Sequence, residues 1–124
     1  MVSICRRFEF HAAHHLPFHQ GKCKNIHGHS YFLEVEVSGD IQKKGPASGM
    51  VTDFGILKEI VNTHVVELLD HQDLNKIWMT PTAEAMVQDI AVWLEPPLEK
   101  FNLSIERVRL YETSNSYAEW RNKK

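Results

Sequence analysis

The sequence predicts an α+β fold whose elements follow the order strand, strand, helix, helix, strand, strand. Near both ends of the chain, apolar residues alternate with polar ones, which is typical of half-buried strands. In the middle, apolar residues recur every three or four positions, which is typical of amphipathic helices. The 124 residues match the usual size of one compact domain, so we expect a single domain over residues 1–124.

The bulk composition predicts a soluble globular protein. The chain is 43% hydrophobic and 24% charged, with a mean hydropathy of -0.34, and no apolar run approaches the length of a bilayer span. The first residues lack the apolar stretch of a secretory signal, so we expect a cytoplasmic protein without a membrane partner. A net charge of -2 and a pI near 6.4 offer no basic surface for nucleic acid, which favours a small-molecule ligand.

The first two strands are predicted over residues 4–15 and 27–37, joined by a loop with proline and glycine. In the first strand, the apolar alternation places His14 on the inward face and His11 and His15 on the other. In the second strand, His27 and His29 begin the inward face of odd-numbered residues. Antiparallel pairing of the two strands would bring the three inward histidines together.

The first helix is predicted near residues 54–68, with an N-terminal cap at Thr52 or Asp53. It ends close to Asp70 and His71. Its inward face is predicted from helical spacing to consist of Phe54, Leu57, Val61, His64, Val65 and Leu68.

The second helix is signalled by Thr80 and Pro81, a cap followed by a proline in the first turn. Pro96 and Pro97 should stop or kink this helix. Strands are then predicted over residues 104–113 and 117–121.

Three histidines form a candidate metal site. His14, His27 and His29 share the inward ends of two adjacent strands, and three neutral imidazoles suit Zn²⁺ while leaving one coordination position open for catalysis. The alternative is that they are core residues bonded to the backbone or exposed polar residues. For the remaining histidines of this region, His11, His15 and His19, a role other than metal ligation is favoured.

Cys23 is a candidate nucleophile or base. It lies between Lys22 and Lys24, whose positive charge favours a thiolate. Two alternatives, taken together, are as open as this interpretation: a passive thiol in the loop, or a fourth zinc ligand that would make the site structural. Cys5, on the opposite strand face from His14, is predicted to be inert.

Two further positions carry acidic groups of interest. Asp70 precedes His71, and a carboxylate beside an imidazole can fix its tautomer, although a histidine at a helix C-terminus is also favoured by the dipole. Glu112 continues the inward face of Val108 and Leu110, where an apolar residue would be expected. A ligand with N–H donors, or a buried structural hydrogen bond, would explain it.

These residues lie in five short motifs along the chain. They are Phe10-His11-Ala12-Ala13-His14, Cys23-Lys24-Asn25-Ile26-His27-Gly28-His29, Leu69-Asp70-His71, Pro81-Thr82-Ala83-Glu84 and Tyr111-Glu112-Thr113. Together they resemble the 6-pyruvoyltetrahydropterin synthase family. The match spans nearly the whole chain, and the motifs follow the family's order at compatible spacing.

The resemblance implies the T-fold, a four-stranded antiparallel sheet with two helices on one face. It also implies that three subunits join edge to edge as a barrel and that two trimers stack as a hexamer. Barrel closure removes the exposed edges of a short sheet. The active sites would then lie at subunit interfaces, so Asp70 and His71 would serve a neighbouring subunit's zinc.

The resemblance also implies a role for each matched residue. His14, His27 and His29 correspond to the zinc ligands, Cys23 to the base that removes a proton, and Asp70 and His71 to its relay partners. Glu112 corresponds to the residue that anchors the pterin.

Thr82 and Glu84 correspond to pterin-pocket residues, although helix capping is an equal alternative for Thr82. The implied substrate is the pterin triphosphate 7,8-dihydroneopterin triphosphate. Zinc would acidify a C–H bond of the substituent on the pterin ring and stabilise the enolate that develops.

The three residues between Cys23 and His27 resemble the 6-carboxytetrahydropterin synthase branch, which acts in queuosine precursor biosynthesis and releases acetaldehyde as well as triphosphate. The alternatives are the pyruvoyl-forming synthase of biopterin biosynthesis and, from another class, a zinc- or pterin-binding module without turnover. His15 departs from the arginine of many relatives. Candidates for triphosphate binding are Lys22, Lys24 and Arg109.

Overall fold

The structure, a computed structural model, describes residues 1–123 and contains one antiparallel sheet with its helices on one face. The sheet order is β1-β2-β3-β4. The predicted fold class and element order are confirmed; Lys124, the last residue of the predicted domain, lies outside the described residues. The strands are β1 (Val2–His14), β2 (His27–Gly39), β3 (Ser104–Thr113) and β4 (Ser116–Arg121).

The pairing of β1 with β2 places the three inward histidines at one end of the sheet. His14 lies opposite His27, and Ala12 lies opposite His29. The rest of the inward face of these two strands is apolar except for Arg6, whose guanidinium donates to the carbonyl of Phe54 at 3.1 Å. Phe10, Tyr31 and Leu33 are fully buried against the helices. The histidines therefore continue the hydrophobic core, as the period-two pattern predicted.

The helical layer consists of α1 (Phe54–Val61), a π-helical turn (Asn62–Val66), the short α2 (Glu67–Leu69) and α3 (Ala83–Glu99). Two 3-10 turns occur at Lys22–Lys24 and Leu74–Lys76. Asp53, one of the two predicted caps, accepts a hydrogen bond from the backbone N–H of Gly55. None of the described helices combines the length and hydropathy needed to cross a bilayer.

The inward face of the first helix differs from the predicted one, and a π-helical turn explains the change in the residues that follow it. Phe54, His64 and Leu68 are exposed, whereas the buried positions are Leu57, Ile60, Val61, Val65 and Leu69. A π-turn inserts one extra residue into the helical repeat. Positions after it rotate by about one residue, about 100°, so Leu69 replaces Leu68 in the core.

The predicted start of the second helix is wrong, and the helix also does not stop at the two prolines. The cap of α3 is Thr82, whose hydroxyl accepts from the N–H of Ala85, so Thr80 is not the cap and Pro81 precedes the helix. Pro96 and Pro97 do not stop α3, which continues to Glu99. The buried side chain of Leu98, one turn after the buried Leu94, keeps the last turn against the sheet despite the missing proline N–H groups.

Candidate metal centre and active site

The side chains of His14, His27 and His29 converge at the end of the β1–β2 pair. One ring nitrogen from each lies within 4.8 Å of the other two. His14 is fully buried, while His27 and His29 are partly buried. Within residues 1–123, no other group of three or more histidine, cysteine or carboxylate side chains is this compact.

Backbone carbonyls fix the orientation of two of these rings. Nδ1 of His14 lies 2.8 Å from the carbonyl oxygen of Pro81, and Nδ1 of His27 lies 2.7 Å from that of Asn25. A carbonyl can only accept, so both Nδ1 atoms carry the proton and both Nε2 atoms carry a lone pair. The two Nε2 atoms face each other at 3.0 Å, an arrangement that a shared cation stabilises.

The third ring supplies the most direct indication of a bound cation. Nε2 of His29 is buried and makes no hydrogen bond with the described residues. Burial is the main cause that lowers the pKa of His29, and it outweighs the opposing charge of Glu112, so the imidazole is neutral near pH 7. A buried ring nitrogen without a hydrogen bond is costly, and a metal ion would use its lone pair. The donor set therefore fits Zn²⁺.

Glu112 lies beside the three histidines rather than among apolar neighbours. Its Oε1 is 3.3 Å from Nε2 of His29 and 4.0 Å from Nε2 of His14, and its side chain is 29% exposed. The exposed part lines a groove of about 1010 Å³ between the N-terminal half of α3 and β4. Glu112 thus joins the histidine cluster to an open groove.

Of the two other predicted pocket residues, Glu84 lines the groove and Thr82 does not. Glu84, in the first turn of α3, lines the same groove as Glu112. The hydroxyl of Thr82 instead caps α3, 3.1 Å from the N–H of Ala85, and Thr82 is not among the residues that line the groove. The geometry supports the capping alternative for Thr82.

Cys23 is half-buried in the 3-10 turn between β1 and β2. Its carbonyl accepts a hydrogen bond from the N–H of Leu16 at 2.6 Å, which closes the loop near the histidine cluster. Its thiol makes no hydrogen bond with the described residues and does not belong to the compact histidine group. The fourth-ligand alternative therefore receives no support from this geometry.

Asp70 and His71 lie at the free edge of β1. Asp70 accepts the N–H of His11 through Oδ1 at 2.9 Å and contacts Nδ1 of His71 through Oδ2 at 3.0 Å. The hydrogen bond from the backbone of His11 is the main cause that lowers the pKa of Asp70. The side chain of His71 is 77% exposed. Within residues 1–123, no hydrogen bond, ion pair or ring contact joins it to the histidine cluster or to Cys23.

Arg109, one of the triphosphate candidates, lies on the sheet face away from the helices. Its Nε donates to Oε1 of Glu119 at 2.7 Å, and its guanidinium lies 4.2 Å from the centre of the Tyr117 ring. The ion pair with Glu119 and stacking on Tyr117 explain its position without a ligand.

Comparison with known proteins identifies the family. The sequence model of the family described as 6-pyruvoyl tetrahydropterin synthase matches residues 3–123. The chain belongs to this family. The pterin synthase family accounts for both the element order and the positions of the motifs.

Relatives in the pterin synthase family cover almost the whole chain. A Haemophilus influenzae protein named 6-carboxy-5,6,7,8-tetrahydropterin synthase is 35% identical over 97% of this chain and 99% of its own length. A Synechocystis protein of the same name is 39% identical over 97% of this chain and 93% of its own. A Pyrococcus furiosus protein named dihydroneopterin monophosphate aldolase is 38% identical over 88% of each chain.

Solved structures of the family share the fold. The 6-pyruvoyl tetrahydropterin synthase of Caenorhabditis elegans superposes with a TM-score of 0.82 at 26% identity, covering 98% of this chain and 96% of the other. That of Plasmodium vivax superposes with a TM-score of 0.75 at 22% identity, covering 98% and 97%. The T-fold predicted from the motifs is therefore confirmed.

Several groups that complete the candidate site in this member of the pterin synthase family could not be identified from sequence motifs. The carbonyls of Asn25 and Pro81 orient two of the histidines, but a backbone carbonyl has no sequence signature. The side chain of Asn75 bonds the backbone of His15, the residue after His14. A polar residue in a loop carries no signal for such a contact.

Proposed function

We propose that this chain is a zinc-dependent lyase that converts 7,8-dihydroneopterin triphosphate and one water molecule to 6-carboxy-5,6,7,8-tetrahydropterin, triphosphate and acetaldehyde in queuosine precursor biosynthesis. One observation carries the proposal: a three-histidine centre with an unbonded buried nitrogen lies beside a carboxylate that opens into a groove. The Haemophilus and Synechocystis relatives that bear this product's name support the choice of product.

His14, His27 and His29 are the proposed zinc ligands. Their three nitrogens leave a coordination position open. When bound, zinc supplies a Lewis acid that makes a C–H bond of the nearby pterin substituent more acidic. The carbonyls of Pro81 and Asn25 keep the Nε2 lone pairs of His14 and His27 directed at the centre.

Glu112 is the proposed anchor of the pterin ring. A carboxylate accepts hydrogen bonds from two adjacent N–H groups, as a pterin presents them. Since Glu112 Oε1 lies 3.3 Å from Nε2 of His29, a ring bound to Glu112 would lie close to the metal centre. Glu84 shares the groove and is proposed as a second substrate contact.

Cys23 is the proposed base that removes the proton from the substituent on the pterin ring. The half-buried turn that carries it is tied to the end of β1 by the bond between Leu16 and Cys23. Lys22 and Lys24 flank Cys23 in the sequence. The Asp70–His71 pair is proposed to relay that proton.

Because the Asp70–His71 pair lies apart from the histidine cluster of its own chain, we propose that it acts in a neighbouring copy's site within a hexamer of two trimers. The sheet has two outer strands, β1 and β4, through which copies could pair. Mixing Cys23→Ala with His71→Ala subunits tests this. Interfacial sites predict recovery of about a quarter of the activity after subunit exchange, and no recovery would indicate sites within one chain.

We also infer a cytoplasmic location. Cys5 and Cys23 are both free, which fits a reducing compartment. Fractionation of cells that express the tagged chain tests this inference, and recovery from an oxidising compartment would contradict it.

Product analysis tests the proposed reaction. The zinc-loaded chain is incubated with 7,8-dihydroneopterin triphosphate, and the products are identified by mass spectrometry together with an acetaldehyde assay. The expected products are 6-carboxytetrahydropterin, triphosphate and acetaldehyde. Triphosphate without acetaldehyde would identify the pyruvoyl-forming reaction, and bound zinc without turnover would identify a binding module.

Two controls make the product analysis specific. The chelator-treated chain should be inactive and should recover on addition of zinc, which ties turnover to the metal. The Pyrococcus relative is named for a monophosphate substrate, so dihydroneopterin monophosphate is assayed in parallel. Faster turnover of the monophosphate would contradict the proposed substrate.

A further inference from the structure

The segment from Asp70 to Asn75 runs along the free edge of β1 and closes its last residues. The N–H of His11 donates to Asp70, and the N–H of His71 donates back to the carbonyl of His11 at 2.5 Å. The N–H of Ala13 donates to the carbonyl of Gln72 at 3.0 Å. Residues 11 and 13 of β1 thus gain partners on the side that β2 does not cover.

Asn75 makes the last connection of this segment. Its Oδ1 accepts the N–H of His15 at 2.8 Å, and its Nδ2 donates to the carbonyl of His15 at 2.9 Å. One amide side chain therefore satisfies both backbone groups of the residue that follows the metal-site histidine His14. A strand end without such partners would fray.

The amide of Asn75 is itself held in place before it reaches His15. Asn75 lies in the 3-10 turn Leu74–Lys76, whose cap Asp73 accepts the N–H of Asn75 at 3.1 Å. The neighbouring side chain of Leu74 is fully buried. The backbone of Asn75, which carries the side-chain amide, is thus attached to the core and not to a freely moving loop.

His14 is the ligand candidate that depends most on this contact. Its ring is anchored by the carbonyl of Pro81, and its backbone pairs with His27 in the last position of the β1–β2 ladder. The backbone N–H and C=O of His15, like those of His11 and Ala13, face the side that β2 does not cover, and Asn75 binds them there. Release of His15 would loosen the end of the strand from which the His14 ring projects.

We propose that Asn75 is a positioning residue of the metal centre. It fixes the backbone next to His14, so that Nε2 of His14 lies close to the Nε2 atoms of His27 and His29. This inference rests on the proposed function, because it assumes that the three histidines bind a metal. Asn75 touches neither the metal nor the substrate. Loss of a partner that hydrogen-bonds a metal ligand directly typically weakens metal affinity about 10- to 100-fold, and Asn75 acts on the residue next to the ligand, so the lower end of that range applies.

The test compares metal affinity and stability in four full-length proteins: the unaltered protein, Asn75→Ala, Asn75→Asp and Asn122→Ala. Each is stripped with a chelator, and Zn²⁺ affinity is measured by competition with a chromophoric chelator. The Tm is measured with and without Zn²⁺. Asn122→Ala is the matched control, since its Nδ2 also donates to a backbone carbonyl, that of Ile105 at 3.0 Å, at the other end of β3 from Glu112.

We expect Asn75→Ala to bind Zn²⁺ at least about tenfold more weakly. The rise in Tm on adding Zn²⁺ should also be smaller, because that rise depends on affinity for the folded state. Asn122→Ala should lower both Tm values alike and keep the affinity. Asn75→Asp, which keeps the acceptor for the His15 N–H but loses the donor, should show an intermediate affinity.

An Asn75→Ala affinity within about twofold of the unaltered protein would overturn the inference and leave Asn75 a structural residue. If Asn75→Ala does not fold, the Asn75→Asp protein decides the question by the same criterion. If the unaltered protein binds no Zn²⁺, the proposed function itself fails and the inference fails with it. The two failures are therefore distinguishable.

Discussion

The backbone carbonyl of Pro81 accepts a hydrogen bond from Nδ1 of His14 at 2.8 Å, although the two positions are 67 residues apart in the sequence. This contact joins the segment that leads into α3 to the end of β1. It selects the tautomer of a buried ring, and so determines which nitrogen of His14 is available to a metal. The position of α3 therefore bears directly on the metal centre.

Thr82, the residue after Pro81, provides a test of how that segment is held. Thr82→Ala removes the cap on Ala85, which should lower the free energy of unfolding by about 1 kcal/mol. If capping is its whole role, the KM for substrate should not change. Urea unfolding and steady-state kinetics measure both quantities. An increase of KM by about tenfold or more would indicate that Thr82 also contacts the substrate in the pterin pocket.

Replacing a single histidine of the cluster should abolish tight metal binding. His27→Ala removes one of three nitrogens, so we expect metal content after dialysis to fall from about one equivalent to near zero. Elemental mass spectrometry measures the content. His64→Ala serves as the control because His64 is exposed in the π-helical turn. Equal metal content in both variants would refute the assignment of His27 as a ligand.

The Cys23→Ala variant distinguishes two roles for Cys23, a catalytic base and a fourth zinc ligand. The thiol does not belong to the compact histidine group, so the variant should keep one equivalent of zinc. Loss of a general base should reduce kcat by about 10²- to 10⁴-fold. Cys5→Ala, which removes the exposed second thiol, should keep its activity. Loss of zinc together with Cys23 would indicate a structural site instead.

Glu112→Gln should weaken pterin binding without removing the metal. A hydrogen bond to a charged group contributes about 1.5–3 kcal/mol, which corresponds to roughly a 10- to 150-fold weaker Kd. Titration of the pterin fluorescence measures the affinity. Glu84→Gln, in the same groove, shows whether the effect belongs to Glu112 or to any carboxylate there. An unchanged Kd for Glu112→Gln would reject the anchor role.

The lowered pKa of Asp70 predicts a pH dependence of stability. A carboxyl group with a pKa below its ordinary value stabilises the fold above about pH 4, and that contribution is lost as the pH falls through the lower, folded-state pKa. Asp70→Asn keeps an acceptor for the N–H of His11 but removes the charge. Metal-free Asp70→Asn should therefore be less stable than the unaltered protein at about pH 6, and the difference should shrink toward about pH 3. Urea midpoints at both pH values measure it, and a difference that does not vary with pH would contradict the role of the charge.

The sequence was sufficient to predict the parts of the fold that depend on local periodicity. The inward position of His14 follows from its phase with Phe8 and Phe10, and the structure confirms that all three lie on one face. Glu112 was recognisable because a carboxylate interrupts an apolar series. Both predictions use the side-chain alternation of a strand, which does not depend on distant residues.

The features that the sequence did not reveal depend on contacts between distant residues or on small differences in backbone energy. The π-turn at Asn62–Val66 replaces Leu68 by Leu69 in the core, a choice that packing against the sheet makes. Pro96 and Pro97 remain helical because Leu98 is buried. His71 adopts a φ of 60°, which a non-glycine residue tolerates here because its N–H bonds the carbonyl of His11.

The segment that closes the last residues of β1 has a consequence for self-association. With His11, Ala13 and His15 occupied by the protein's own backbone and side chains, the stretch of that edge left for another copy lies between Val2 and Glu9. That stretch is similar in length to the six residues of β4. A neighbour that docks edge to edge at β1 therefore finds unpaired backbone groups only over that stretch, which limits the registers in which the two strands can pair.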